Sequence, residues 1–289
     1  MLELNNVQLQ YDSLSILNAI NLQIAAGEVA VVLGPNGVGK STLLKVASGE
    51  IPPSAGAVHF NGRDLGSYSP AQKARRMAVL PQHSSLSFAY AVEEVVMLGR
   101  TPHATGVAID WDIVAQALAA VDASYLSQQI YTRLSGGEKQ RVQLARVLAQ
   151  VWQAPEGESG RGGKSAGKGE GSGAGSGESS GESDAGQAGS AERLLILDEP
   201  TSALDYAHQQ MLMTLLRQRA AAGCSVLLAM HDLNLAASCA DKMVLMRCGE
   251  IYAVGSPDEV LREDLLREVF QVTFHRVEHP LTGRPWLLS

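Results

Sequence analysis

Three short stretches carry residue types that together handle phosphate. The first is "GPNGVGKST", Gly34 to Thr42. Its glycines, Gly34, Gly37 and Gly39, let backbone amides approach phosphate oxygens with no Cβ in the way. Lys40 can reach the β and γ phosphates, and the Ser41 hydroxyl suits magnesium. Pro35, Asn36, Val38 and Thr42 complete the loop. The second stretch is "LLILDEP", an apolar run that ends in Asp198 and Glu199. A carboxylate at the carboxyl end of a strand suits a magnesium shell, which assigns Asp198 there. Glu199 points elsewhere and can accept a proton from an attacking water, or orient it. The third is "LSGGEKQR", Leu134 to Arg141, where Ser135, Gly136 and Gly137 stand immediately before a helix. That is a second anion-binding helix start. Composition leaves open which phosphate it sees.

The elements that position these residues are readable from periodicity. "EVAVVL", Glu28 to Leu33, is a continuous apolar run, as expected of a strand covered on both faces. The glycine loop follows it, and "KSTLLKVASG" follows as a helix ending near Gly49. Leu2, Leu4, Val7 and Leu9 are spaced as in antiparallel strands, and "GAVHFNGRDL" reads as a hairpin. From about Val92 to Gln150 the period is helical. Strands return at "RLLILDEP", "SVLLAMH" and "DKMVLMRCGE", with a helix over about Tyr206 to Ala221. The tail "DEVLREDLLREVF" then "QVTFHRVEHPLTGRPWLLS" reads as helix followed by strand.

Composition narrows the class. With 289 residues and 45% hydrophobic content, the chain can bury a sizeable α/β core. Its net charge of -7 argues against a nucleic-acid partner held by bulk electrostatics. Cys224, Cys239 and Cys248 form no C-x-x-C pair and read as small buried hydrophobes. No signal peptide is visible, and no apolar run approaches the roughly 20 residues that span a bilayer. Any work at a membrane therefore requires docking onto a protein that spans it.

Residues 153–192 differ from the rest. They are mostly Gly, Ser, Ala and Glu, with nearly half of the chain's 29 glycines and no aliphatic residue larger than Ala. Such a segment cannot offset the entropy of ordering and is expected to be disordered. Within it, "GGKSAGKG", Gly162 to Gly169, matches the start of the phosphate-loop pattern. Gly169 stands where Ser or Thr is needed, and neither a strand nor a helix flanks it, so it reads as a decoy.

The set "GPNGVGKST", "LSGGEKQR" and "LILDEP", in this order, resembles the ATP-binding cassette ATPases, the motor subunits of ABC transporters. The resemblance implies a P-loop NTPase fold of the α/β class: a RecA-like core, an N-terminal antiparallel β subdomain and an inserted α-helical subdomain. Residues 1–255 would form the nucleotide-binding domain, with the helical subdomain at about 85–150, and 256–289 a C-terminal extension. The cofactors implied are ATP and Mg2+. Tyr11 matches the aromatic residue that stacks on adenine. Gln82 matches the glutamine that joins the nucleotide site to the helical subdomain and shares the magnesium with Ser41 and Asp198. "SALD", Ser202 to Asp205, matches the loop that touches the opposite subunit, and His231 the switch histidine at the γ phosphate. Glu199 would be the catalytic base. The other histidines, His59, His83, His103, His208, His275 and His279, lack metal-ligand spacing and read as surface or packing residues.

The resemblance also implies partners. ATP would lie between two copies, head to tail, so that Ser135 and Gly137 see the γ phosphate held by a second copy. A motor without a span must drive two separate transmembrane permease subunits from the cytoplasmic face of the inner membrane, touching the membrane only through them. "RRMAVLPQHSSLSFAYAVEEVVMLGRTPH" resembles importers of iron chelates, cobalamin and haem, and is most similar to the hemin importer ATPases, as is "HRVEHPLTGRPWLLS". A periplasmic hemin-binding protein would then be an indirect partner. The alternatives are the same motor serving a ferric siderophore or cobalamin, or an ABC ATPase acting on ribosomes or DNA. The latter kinds carry two cassettes or a long coiled coil, and this chain has one motif set with a short helical region between loop and signature.

Overall fold

The computed structural model describes residues 1–12, 14–84, 86–152 and 193–288. The segment expected to be disordered, with its decoy motif, lies outside them.

β1 (Leu2–Tyr11) and β2 (Leu14–Ile24) pair as antiparallel strands. The buried side chains Leu2, Leu4, Val7 and Leu9 skip one place between Leu4 and Val7, where the register shifts and Asn6 takes a φ of 49°. One extra residue there keeps the apolar set on the core face. β3 (Val29–Leu33) leads into α1 (Lys40–Ser48). β4 (Ala55–Phe60) and β5 (Arg63–Asp64) form the expected hairpin. α2 (Pro70–Arg76) leads into β6 (Met77–Leu80). The helical region holds α3 (Val92–Met97), α4 (Val107–Ala120) and α5 (Gly136–Val151). The chain returns through β7 (Arg193–Asp198), α6 (Tyr206–Ala221), β8 (Cys224–Ala229), α7 (Leu233–Cys239), β9 (Lys242–Arg247) and β10 (Glu250–Gly255).

A four-stranded sheet in the order β2-β1-β4-β5 covers a six-stranded sheet in the order β10-β9-β3-β8-β7-β6. In the larger sheet only the β10 edge is antiparallel. β3 lies between β9 and β8, and all five of its residues are buried. Val29, Val31 and Leu33 enter the core shared with α5, α6 and α7. Ala30 and Val32 enter the core shared with α1 and the antiparallel sheet. This two-sided burial explains why the strand reads as an unbroken apolar run.

The tail departs from the sequence expectation. The single expected helix is two, α8 (Pro257–Val260) and α9 (Glu263–Phe270), because Leu261 leaves helical geometry to bury itself completely in the core. The expected single strand is a hairpin, β11 (His275–Glu278) with β12 (Pro285–Leu288). Its turn needs Gly283, whose φ is 65°. Asn234 of α7 holds β12 from both sides, donating to Leu287 O at 2.9 Å and accepting from Leu287 N at 2.8 Å. Val260, Leu266 and Leu287 join the main core, so the extension packs as part of the domain.

Candidate nucleotide site

The site forms where β3 and β7 end. At Gly34 a Cβ would stand 2.6 Å from Met246 O, so the tight exit from β3 admits only glycine. Gly39, with φ of 109°, begins α1 and offers no capping side chain. The first amides of α1 are thus left for a ligand, and the helix dipole favours an anionic one. Lys40 is 5% exposed, and its Nζ donates to Gly34 O at 2.8 Å and Pro35 O at 3.0 Å. Burial lowers the Lys40 pKa, while Glu199 and Asp198 support its charge.

Asp198 ends β7 and is buried. Burial raises its pKa, a hydrogen bond with Ser41 opposes the rise, and the neighbouring Glu199 adds to it. Its Oδ1 is buried without a hydrogen-bond partner among the described residues. Glu199 sits at φ 49°, in the left-handed region. Gln82 Nε2 donates to Glu199 Oε2 at 2.8 Å. His231 Nε2 is in hydrogen-bond contact with the other oxygen, Oε1. Asn36, Gly37, Gly39, Lys40, Ser41, Thr42, Gln82, Glu199 and His231 line one cleft of about 450 Å³.

Not every expected residue lies there. Tyr11, at the end of β1, is 51% exposed and is absent from the lining; Ile16 lines the cleft instead. Ser135, Gly136 and Gly137 begin α5 outside the cleft. Ser135 accepts from Glu138 N, and Ser135 Oγ donates to the Glu138 carboxylate at 2.7 Å. Asp205 also lies outside, capping α6 by accepting from His208 N at 2.9 Å. Val38 packs into the core under the loop.

His208, expected to be a surface or packing residue, is partly exposed, with its imidazole 2.7 Å from Asp205 and 3.7 Å from Asp122. The signal was its place one helical turn after a helix cap. Elsewhere, His103 Nε2 lies 2.7 Å from Gln150 O, and burial lowers its pKa. Cys224 and Cys239 are buried, which pushes their thiols up to about 11 and about 12, whereas Cys248, also expected to be buried, is exposed in the turn between β9 and β10. A larger cavity of about 500 Å³ lies between α6, α7 and the β11–β12 hairpin. Its Arg217 and Arg284 donate to the backbone carbonyls of Ser238 and Ala237 near the end of α7, which accounts for them as caps.

A glycine loop between a buried parallel strand and an uncapped helix, facing two strand-end carboxylates, defines a phosphate-loop nucleotide-binding protein. Residues 17–153 match the sequence profile of the family described as "ABC transporter". The hemin import ATP-binding protein HmuV of Pseudomonas entomophila is 43% identical, over 100% of both chains. Its counterpart in Pseudomonas aeruginosa is 42% identical, again over 100% of both. The chain belongs to the ATP-binding proteins of ABC transporters. The dimeric structure of the ATP-binding cassette MJ0796 bound to ADP and Pi is similar in fold, with a TM-score of 0.68 and 21% identity over 89% of this chain and 99% of that one.

Proposed function

We propose that this chain is the ATP-hydrolysing subunit of a bacterial ABC importer, driving hemin through a separate permease. The observation that carries the reading is the single cleft uniting Lys40, Ser41, Gln82, Glu199 and His231. It occurs in a chain 43% identical, end to end, to a hemin import ATP-binding protein.

In this reading the loop Gly34–Gly39 and the first turn of α1 bind the ATP phosphates. Lys40 exchanges the carbonyls of Gly34 and Pro35 for β- and γ-phosphate oxygens. The unpartnered Asp198 Oδ1 and the adjacent Ser41 hydroxyl fit Mg2+. The Gln82 amide nitrogen is committed to Glu199, which leaves its oxygen as a third ligand. Bound Mg2+ would neutralise charge on the phosphates. Glu199 takes the proton of a water whose oxygen bonds to the γ phosphorus as the bond to the leaving ADP oxygen breaks. Each Glu199 oxygen takes one hydrogen-bond partner here, Gln82 on Oε2 and His231 on Oε1, and each keeps a lone pair for the attacking water. His231 moves from Glu199 to the γ phosphate, and Tyr11 stacks on adenine when the β1–β2 end closes.

Ser135, Gly136, Gly137 and Asp205 serve a second copy's nucleotide, which is why they lie outside the cleft of their own chain. No helix among the described residues is long and apolar enough to cross a membrane. The reading therefore puts a homodimer on the cytoplasmic face of the inner membrane, held by two permease subunits. A periplasmic hemin-binding protein acts at a distance, and nucleic acid plays no part.

The test is ATP hydrolysis by the chain alone and co-purified with its permease. Magnesium-dependent hydrolysis that the permease stimulates is expected. Nucleotide binding without turnover in either preparation contradicts the reading.

A further inference from the structure

His208 stands in the first turn of α6, three residues after the cap Asp205. Its Nδ1 is 2.7 Å from Asp205 Oδ1, and its Nε2 is 3.7 Å from Asp122 Oδ2. Asp122 follows α4 in a left-handed conformation, φ 51°. Its carboxylate lies 3.9 Å from Arg141 Nη1, and its backbone carbonyl accepts from the same nitrogen. Arg141 is a buried residue of α5, and its Nη2 donates to Tyr125 Oη at 2.7 Å. A continuous chain of contacts, Asp205–His208–Asp122–Arg141, therefore joins the start of α6 to the helix that Ser135 caps.

A second set of contacts brings the same two regions together. Gln140 Nε2 donates to Pro200 O at 3.1 Å. A Cβ at Gly137 would stand 2.9 Å from Ala203 O, so residue 137 and the segment 200–205 are in direct apposition. The imidazole is suited to its place because its two nitrogens face two carboxylates. Without it, Asp205 and Asp122 are left as two exposed like charges with no link between them, which loosens the hold of one region on the other.

We infer that His208 is a positioning residue that fixes the Ser202–Asp205 loop against Ser135–Gly137, so that both meet a second subunit's nucleotide as one surface. This rests on the reading of the chain as an ATPase that acts as a dimer. His208 touches neither the cleft nor its lining, so losing it should leave nucleotide binding by a single chain unchanged and weaken the step that needs two chains.

The experiment compares full-length variants by ATP-concentration dependence of hydrolysis, binding of the fluorescent analogue MANT-ATP to dilute protein, and thermal unfolding. His208→Ala is expected to raise the ATP concentration for half-maximal hydrolysis about threefold to fivefold, the weight of an exposed charge pair. Its MANT-ATP affinity and unfolding midpoint stay at wild-type values. His208→Asn keeps a nitrogen for Asp205 but does not reach Asp122, and it should share the defect. Asp122→Ala should do the same, and the double variant His208→Ala/Asp122→Ala should be no worse than either single one. Wild-type half-saturation in His208→Ala, additive losses in the double variant, or a matching loss of MANT-ATP affinity overturns the inference. A wild-type chain that binds MANT-ATP and hydrolyses no ATP overturns the ATPase reading instead, and the inference with it.

Discussion

The Gln82 amide donates to the Glu199 carboxylate at 2.8 Å, joining residues 117 positions apart. Gln82 follows β6, and Glu199 follows β7, its parallel neighbour in the sheet. Any movement of the segment after β6 is therefore felt directly by the carboxylate assigned to activate water. With His231 on its other oxygen, Glu199 is held from two sides.

Replacing that carboxylate should separate binding from chemistry. Glu199→Gln keeps the size of the side chain and loses the base. ATP hydrolysis should fall by a factor on the order of 10² or more, while ATP still binds and the dimer becomes more stable. Hydrolysis assays and size-exclusion chromatography with ATP check this. Wild-type turnover in the variant removes Glu199 from the role.

Lys40→Ala should act one step earlier. Charge-assisted hydrogen bonds contribute about 1.5–3 kcal/mol, so ATP affinity should drop roughly 10- to 100-fold. Lys40 is bonded only to loop carbonyls here, so the unfolded fraction should not rise to match. Titration with a fluorescent ATP analogue, beside thermal unfolding, distinguishes lost binding from lost fold.

Asp198 gives a prediction with pH. Burial raises its pKa in the folded chain above the ordinary carboxylate value. A raised carboxyl favours the fold when protonated, and that contribution is lost as pH rises through the folded pKa. Asp198→Asn should therefore unfold at a higher temperature than the wild type at pH 7 without nucleotide, and the difference should shrink toward pH of about 4. The same variant should lose magnesium-dependent hydrolysis. Equal unfolding midpoints at both pH values contradict this account of Asp198.

The core of this site was legible because its signals are local. A strand buried on both faces, glycines where a Cβ collides with backbone, and a helix without a cap leave marks within fifteen residues of one another. The tail was less legible. Leu261 obeys helical periodicity in sequence, yet the core draws it out of the helix, and the "EHPLTGR" turn carries its glycine late. Tyr11 matches its motif but stands exposed at the end of β1, outside the cleft, where Ile16 lines the wall instead. His208 was invisible as chemistry because its second carboxylate, Asp122, comes from 86 residues earlier in the chain.

The segment between α5 and β7 should be dispensable for turnover. Its flanks are already held together by Arg193 Nη1, which donates to Val151 O at 2.7 Å, and Trp152 is anchored separately to α6, with the Arg219 guanidinium 3.6 Å from its ring centre. Arg193 starts β7, at the end of the sheet away from the nucleotide cleft. Closing a loop of about 40 residues rather than about 5 costs only about 2 kcal/mol. Deleting Pro155 to Ala191 and joining the ends with a short turn should leave ATP hydrolysis within about twofold of wild type. A large loss in a folded deletion variant gives the segment a part in catalysis.

The most direct test is uptake. The chain is reconstituted with its permease and a hemin-loaded binding protein in lipid vesicles, with ATP and Mg2+ on the side that carries the chain. The account predicts hemin accumulation that requires ATP and is abolished by Glu199→Gln. Accumulation of cobalamin or a ferric siderophore in place of hemin, or hemin uptake undiminished by Glu199→Gln, contradicts it.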